Sequence, residues 1–215
     1  MPKALFIVFE GIDGSGTTTQ SELLVRYITE VLENPVVLTR EPGGTPLAER
    51  IRTLVLDPDF EEIHFITELL LYAASRAQHV HELIKPTLQA GTPVVCDRFT
   101  DSTVAYQGYG RGLDLDMIRK VNSIAVGGCR PDLTIYLELP VEVARKRRQQ
   151  RASKPDRLER AGDQLQGQVH RAYRELAVQN PDASLVLDAT LPVNELADEI
   201  SSLLRSRWSN FPFGN

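Results

Sequence analysis

Apolar residues follow two alternating spacings along this chain. Short continuous apolar runs occur at Ala4–Phe9, Val36–Leu38, Pro93–Cys96, Leu133–Leu137 and Ser184–Leu187. Runs of that length between turn residues predict buried strands. The intervening segments carry apolar positions every three or four residues, as at Leu23, Leu24, Tyr27, Ile28, Val31 and Leu32. That spacing predicts helices over 21–32, 46–56, 63–88, 113–126, from Pro140 onward, 164–178 and 193–208. Pro46 suits a first helical turn, Asn34-Pro35 stops the first helix, and Pro86 predicts a bend in the longest one. Gly108 to Gly112 reads as a flexible loop, and Ser209 to Asn215 has little pattern. Strands alternating with helices predict an α/β domain in three layers, its five-stranded parallel sheet flanked by helices. No repeat or linker interrupts it, so 1–215 is read as one domain.

The first strand runs into Gly11-Ile12-Asp13-Gly14-Ser15-Gly16-Thr17-Thr18 and then a helix. This is the order of a phosphate-binding P-loop. Glycines let successive backbone N–H groups point at one anion, and the helix N-terminus adds its positive dipole end. Thr18 holds the position whose hydroxyl can ligand the Mg²⁺ of a nucleotide. Thr17 holds the position that the motif G-x-x-x-x-G-K-[ST] gives to lysine.

Composition narrows the function classes. The chain has 215 residues, 42% hydrophobic and 25% charged, with a net charge of -5, so it lacks the global basic signature of nucleic-acid binding. Cys96 and Cys129 have no metal-ligand spacing and suit buried, reduced thiols of a cytoplasmic protein. The N-terminal residues commit to a strand too quickly for a signal peptide, and no apolar run is long enough for a bilayer. No membrane or nucleic-acid partner is expected.

Candidate chemistry gathers where strands end, the edge at which open α/β sheets bind ligands. The second strand delivers Arg40 within Thr39-Arg40-Glu41-Pro42-Gly43-Gly44-Thr45. The third delivers Asp97-Arg98, a carboxylate and an arginine suited to Mg²⁺ and phosphate. Ser102, Thr103, Tyr106 and Gln107 follow, with side chains able to hydrogen-bond a base or sugar. Glu68, Tyr72 and Arg76 stand at i, i+4 and i+8 and share one helix face, where an aromatic can stack a base and an arginine can meet its edge. A basic stretch runs through Arg145, Lys146, Arg147, Arg148 and Arg151, then Lys154 and Arg157. Such a run is commonly a solvated face, and beside a P-loop it also fits a mobile lid over phosphates, about 141–160.

These pieces together resemble thymidylate kinase, of the P-loop nucleoside-monophosphate kinases, from about Ala4 to Leu204. The resemblance rests on FEGIDGSG at 9–16, TREPGGT at 39–45, YAASRAQH at 72–79, DRFTDSTVAYQG at 97–108, RPDLTIYLELP at 130–140 and DRLE at 156–159. It implies a three-layer P-loop NTPase fold with a basic lid, and transfer of the γ-phosphate of ATP to dTMP with Mg²⁺, by a homodimer packed through its long helices. By position it implies that Gly11 to Thr18 cradle the ATP phosphates and that Asp13 meets the deoxyribose 3′-hydroxyl. Arg40 and Arg98 would hold the dTMP phosphate, and Tyr72 would stack on thymine with Arg76 as a base contact. Ser102, Thr103, Tyr106 and Gln107 would read the base and crowd a ribo-2′-hydroxyl. Asp97, with Thr18, would stand near Mg²⁺. Members without a basic residue inside the P-loop carry their arginines in the lid, here Arg147, Arg148 and Arg151, which with Asp13 and Arg98 make the expected catalytic set. The departure is Thr17, where the family has lysine. Two readings follow: a working dTMP kinase, and a weakened or silent nucleotide-binding protein of the same fold.

Overall fold

The computed structural model describes residues 4–30, 33, 35–60, 63–150 and 156–207. Strand β1, Phe6–Gly11, leads through the glycine turn into α1, Thr17–Glu30. Strand β2, Val37–Arg40, leads to α2, Pro46–Leu56, whose first turn is capped by the Thr45 hydroxyl. Helix α3, Phe65–His79, continues through a π turn, Val80–Ile84, into α4, Lys85–Gln89. Strand β3, Val94–Asp97, is followed by the single turn α5, Thr100–Thr103, a π-helical segment, Val104–Gly110, and α6, Leu115–Val126. Strand β4, Leu133–Glu138, precedes α7, Val141–Gln149, and α8, Gly162–Gln179. Strand β5, Ser184–Asp188, and α9, Val193–Arg207, close the described chain.

The five strands are parallel in the order β2-β3-β1-β4-β5. Every residue of β1 is buried, as its central place requires. Alternation splits its apolar side chains between two cores. Ile7 and Phe9 pack with Leu24, Ile135 and Leu137, while Phe6 and Val8 pack with Val94, Cys96 and Phe99. Each such side chain, fully buried, contributes ~1.5–3 kcal/mol. Glu10 is the one ionisable residue of β1, and it is fully buried. Cys96 and Cys129 are both buried, and neither forms a disulfide among the described residues. Among the described residues, no helix is long and apolar enough to cross a membrane.

The structure corrects four local expectations. Strand β2 is not buried throughout: it pairs only with β3, and Leu38 is 40% exposed. The long helix departs from α geometry before Pro86, where the Lys85 N–H reaches back to the Val80 carbonyl. Proline has no N–H to continue the ladder, and the wider turn takes up the change. The expected loop over Gly108–Gly112 is helical to Gly110, and its glycines serve close packing rather than flexibility: a Cβ on Gly108 would fall against Leu115 and one on Gly110 against Leu165. Arg157 is no solvated lid cation: it is buried, with Nε donating to the Val55 carbonyl at 2.9 Å and Nη2 paired with Glu68. The expected end of the first helix at 31–32, Asn34, the segment 151–155 and the tail from Trp208 lie outside the described residues.

Candidate functional site

Strand register assembles the site. Phe9 and Arg40 each lie level with Asp97, so Gly11, Asp97 and Arg40 reach one edge together. The connection leaving β1 runs to β2 on one side and that leaving β3 runs to β4 on the other. A crevice opens where neighbouring strands diverge in this way. Gly14 and Gly16 have φ of +100° and +95°, and a Cβ on Gly14 would lie 2.8 Å from the Ala144 carbonyl oxygen. The loop therefore favours glycine at both positions for conformation, and at Gly14 for room as well. Thr17 and Thr18 open α1, and the Thr18 hydroxyl donates to Asp97 Oδ2 at 2.5 Å. Among the described residues the buried Asp97 Oδ1 has no hydrogen-bond partner.

A cavity of about 480 Å³ lies beneath the loop, a suitable size for a small nucleotide. Its walls include Gly14, Gly16, Thr17, Thr18 and Asp97, and every residue expected at dTMP: Asp13, Arg40, Tyr72, Arg76, Arg98, Ser102, Thr103, Tyr106 and Gln107. Gly11, Ile12 and Ser15 lie behind the loop: Ile12 is core, and a Cβ on Gly11 would meet the Leu137 carbonyl at 2.9 Å.

Arg98 stands at the junction of loop and cavity. Its Nη2 donates to Asp13 Oδ1 at 2.7 Å, and its Nη1 to the Gly11 carbonyl at 2.5 Å and the Tyr173 hydroxyl at 3.1 Å. Nε and one Nη2 hydrogen remain for a ligand. The guanidinium also lies 5.5 Å from the Tyr106 ring centre. Asp13 is fixed from its other side, where Gln166 Nε2 donates to Oδ2 at 2.8 Å. Arg40 pairs with Glu49 at 3.0 Å and stays half exposed, able to turn toward an anion.

At the opposite end Arg76 is almost fully engaged. Nε donates to Glu41 at 2.7 Å, Nη1 to Thr103 at 2.9 Å and Asn122 at 2.7 Å, and Nη2 to the Phe99 carbonyl at 2.9 Å. Only one hydrogen is left for a base edge. Gln107 donates to Glu68 at 2.8 Å, which fixes the amide. Among the described residues the buried Tyr72 and Tyr106 hydroxyls have no hydrogen-bond partner, and unpaired buried hydroxyls of this kind favour a polar ligand. Ser102 faces Glu10 Oε2 at 2.6 Å and the Tyr173 hydroxyl at 2.9 Å, so its hydroxyl is held from behind the wall.

The basic stretch divides by position. Arg148 Nη1 donates to the Asp13 carbonyl at 2.7 Å and Nη2 pairs with Asp163 at 3.3 Å, seating α7 on the loop. Arg147 instead donates to the Ala189 carbonyl at 2.9 Å beyond β5. Neither lines the cavity, and Arg151 lies outside the described residues.

Sequence reasoning overlooked several members. Arg52 of α2 lines the cavity and donates to the Pro42 carbonyl at 2.8 Å; burial and then the Arg40 charge hold its pKa below the usual guanidinium range. Asp156 lines the same wall, and burial raises its carboxyl. Glu10 is pushed up to about 7, first by burial and then by the Asp101 carboxylate, against the opposing effect of Arg98 and of the hydrogen bonds from Ser102 and Phe99. Gln166 and Tyr173 reach the site from α8, with no local motif to announce them.

Known proteins resemble the chain over nearly its whole length. The family model described as thymidylate kinase matches residues 9–200. A thymidylate kinase of Trichodesmium erythraeum is 45% identical, covering 94% of this chain and 95% of that protein. One of Ectopseudomonas mendocina is 48% identical over the same shares of the two chains. The crystal structure of thymidylate kinase from Ehrlichia chaffeensis superposes with a TM-score of 0.76 at 35% identity, covering 94% of this chain and 99% of that one. The shared P-loop α/β fold and these matches over nearly the whole length establish that the chain belongs to the thymidylate kinase family.

Proposed function

We infer that the cavity is the acceptor site of a dTMP kinase and that the P-loop above it is the ATP site. Family membership makes the chain a phosphotransferase that phosphorylates dTMP to dTDP with ATP. The observation that carries the site reading is the convergence on one cavity of a phosphate loop, arginines at strand ends and a buried aromatic.

In this reading Arg40 and Arg98 hold the dTMP phosphate, joined by Arg52, and Asp13 accepts from the deoxyribose 3′-hydroxyl. Tyr72 stacks on the thymine, and Arg76, Thr103 and Gln107 meet its edge. Ser102 and Tyr106 close the sugar side. The N–H groups of residues 11–18 and the α1 dipole take the ATP phosphates. Transfer places growing charge on the bridging oxygens, so positioned cations lower the barrier by favouring the transition state over bound substrate. Arg98 supplies that charge from the acceptor side. Segment 141–160 acts as the lid, with Arg147, Arg148 and Arg151 as its cations, supported by the seat of Arg148 on the loop.

The donor set fits Mg²⁺. Thr18 and Asp97 offer oxygens side by side, and Asp97 Oδ1 is a buried acceptor without a partner. When bound, the ion would supply charge neutralisation at the β- and γ-phosphate oxygens. Release of ADP from ATP and dTMP in the presence of Mg²⁺, set against dCMP and dGMP, tests the assignment. Equal kcat/KM for the three monophosphates would sink it.

The protein is further read as a cytoplasmic homodimer. Leu47 and Leu54 on α2, Leu70 on α3 and Ile124 on α6 are exposed apolar side chains on long helices, at 50%, 41%, 54% and 81%. Sedimentation equilibrium at micromolar concentration checks the dimer, and a single species of 24.0 kDa would refute it.

A further inference from the structure

We propose that Glu10 is a positioning residue for Arg98. Its carboxylate fixes the backbone on which Arg98 stands and, through the Tyr173 hydroxyl, the guanidinium itself.

Arg98 has a φ of +72°, left-handed backbone that is unfavourable for a non-glycine residue. Strand β1 holds both peptide groups flanking it. The Arg98 N–H donates to the Phe9 carbonyl at 2.9 Å, and the Phe99 N–H donates to Glu10 Oε1 at 2.9 Å. The same oxygen accepts the Ser102 N–H at 3.2 Å, so one carboxylate closes the turn from Arg98 to Ser102. Oε2 accepts from the Ser102 hydroxyl at 2.6 Å and the Tyr173 hydroxyl at 3.0 Å. Tyr173 in turn accepts from Arg98 Nη1 at 3.1 Å. Two routes therefore run from Glu10 to Arg98, one through backbone and one through α8. Four donors converging on two oxygens suit a carboxylate, and burying a carboxyl in β1 is costly without such partners. Glu10 does not face the cavity, so it acts only through what it holds.

The inference rests on the reading of Arg98 as a phosphate contact, and a double-mutant cycle separates the two. Glu10→Gln, Arg98→Ala and the double variant are compared by kcat/KM for dTMP, with KM for ATP alongside. Glu10→Gln alone is expected to lose on the order of a hundredfold, the effect of displacing a catalytic group by about 1 Å, with KM for ATP little changed. In the Arg98→Ala background the same substitution is expected to cost no more than about twofold, because the residue it positions is gone. Losses that multiply, or a fully active Glu10→Gln, overturn the proposal. An Arg98→Ala protein with near-wild-type turnover overturns the phosphate reading instead. If Glu10→Gln does not fold, Tyr173→Phe in the same cycle decides: loss confined to the Arg98 background supports the route, and a multiplying or absent effect refutes it.

Discussion

Thr18 Oγ1 lies 2.5 Å from Asp97 Oδ2, a hydrogen bond that joins the first turn of α1 to the end of β3. The pair stands where the glycine loop meets the cavity. It leaves Asp97 Oδ1 facing no protein donor. Asp97→Asn keeps the shape and removes the charge. The Mg²⁺ concentration for half-maximal rate is expected to rise roughly 10–100-fold, the range typical of weakened support around a metal. A Mg²⁺ titration of turnover at saturating ATP and dTMP checks this, and an unchanged midpoint would separate Asp97 from the metal.

Thr17 lines the cavity at the head of α1. Thr17→Lys is expected to raise kcat roughly tenfold or more while leaving KM for dTMP within about twofold. A lysine there adds charge at the β/γ-phosphates, and the dTMP walls come from other segments. Steady-state kinetics with ATP and dTMP varied in turn is the measurement. A kcat that stays level or falls would mean that other cations already fill the role.

Arg52→Ala is expected to raise KM for dTMP about tenfold and to leave KM for ATP nearly unchanged. A hydrogen bond between charged groups is typically worth about 1.5–3 kcal/mol, and Arg52 stands with Arg40 on the acceptor side. A KM for dTMP that moves less than twofold would reduce Arg52 to a brace for Pro42.

The pH dependence of stability carries a signature of Glu10. Its carboxyl is raised from 4.5 to about 7 in the folded chain. Between those values the folded state binds more protons than the unfolded state, so this residue's contribution falls as pH rises through the window. The sign is opposite to that of a salt-bridged carboxylate. Chemical denaturation from pH 4.5 to 7.5 is expected to show the stability difference, wild type minus Glu10→Gln, declining with pH. A flat or rising difference would contradict the buried, raised carboxyl.

Much of this was legible because strand ends are legible. The apolar run of β1 announces a central strand, and in a parallel sheet the residues after each run must share an edge. Arg40, Asp97 and Arg98 could thus be grouped without knowing the strand order. Arg52 could not, since it reaches the cavity only through the way α2 docks, and its neighbours spell an ordinary amphipathic helix. Gln166 lies 153 residues from the Asp13 it braces, a distance across which no local pattern speaks. Arg157 misled for a related reason. Charge in a run of charges looks solvated, and only the meeting with Glu68 and the Val55 carbonyl turns it inward. The π turns escaped because hydrophobic spacing barely distinguishes a single wide turn from the α ladder around it.

Glu68 gives the base end of the cavity a dependence on distant parts of the chain. One carboxylate pairs with Arg157 and accepts from Gln107 at 2.8 Å, with Arg111 Nε at 3.5 Å, so α3, the π-helical segment and the residues after 155 meet at a single point. The amide of Gln107 is therefore oriented by a residue whose own anchor is Arg157. With Gln107 as the proposed base contact, replacing Arg157 in the DRLE segment is expected to alter discrimination among bases, read as kcat/KM for dTMP against dCMP. In the reading of Gln107 as a base contact proposed above, Arg157 and substrate choice are tied to one another through Glu68.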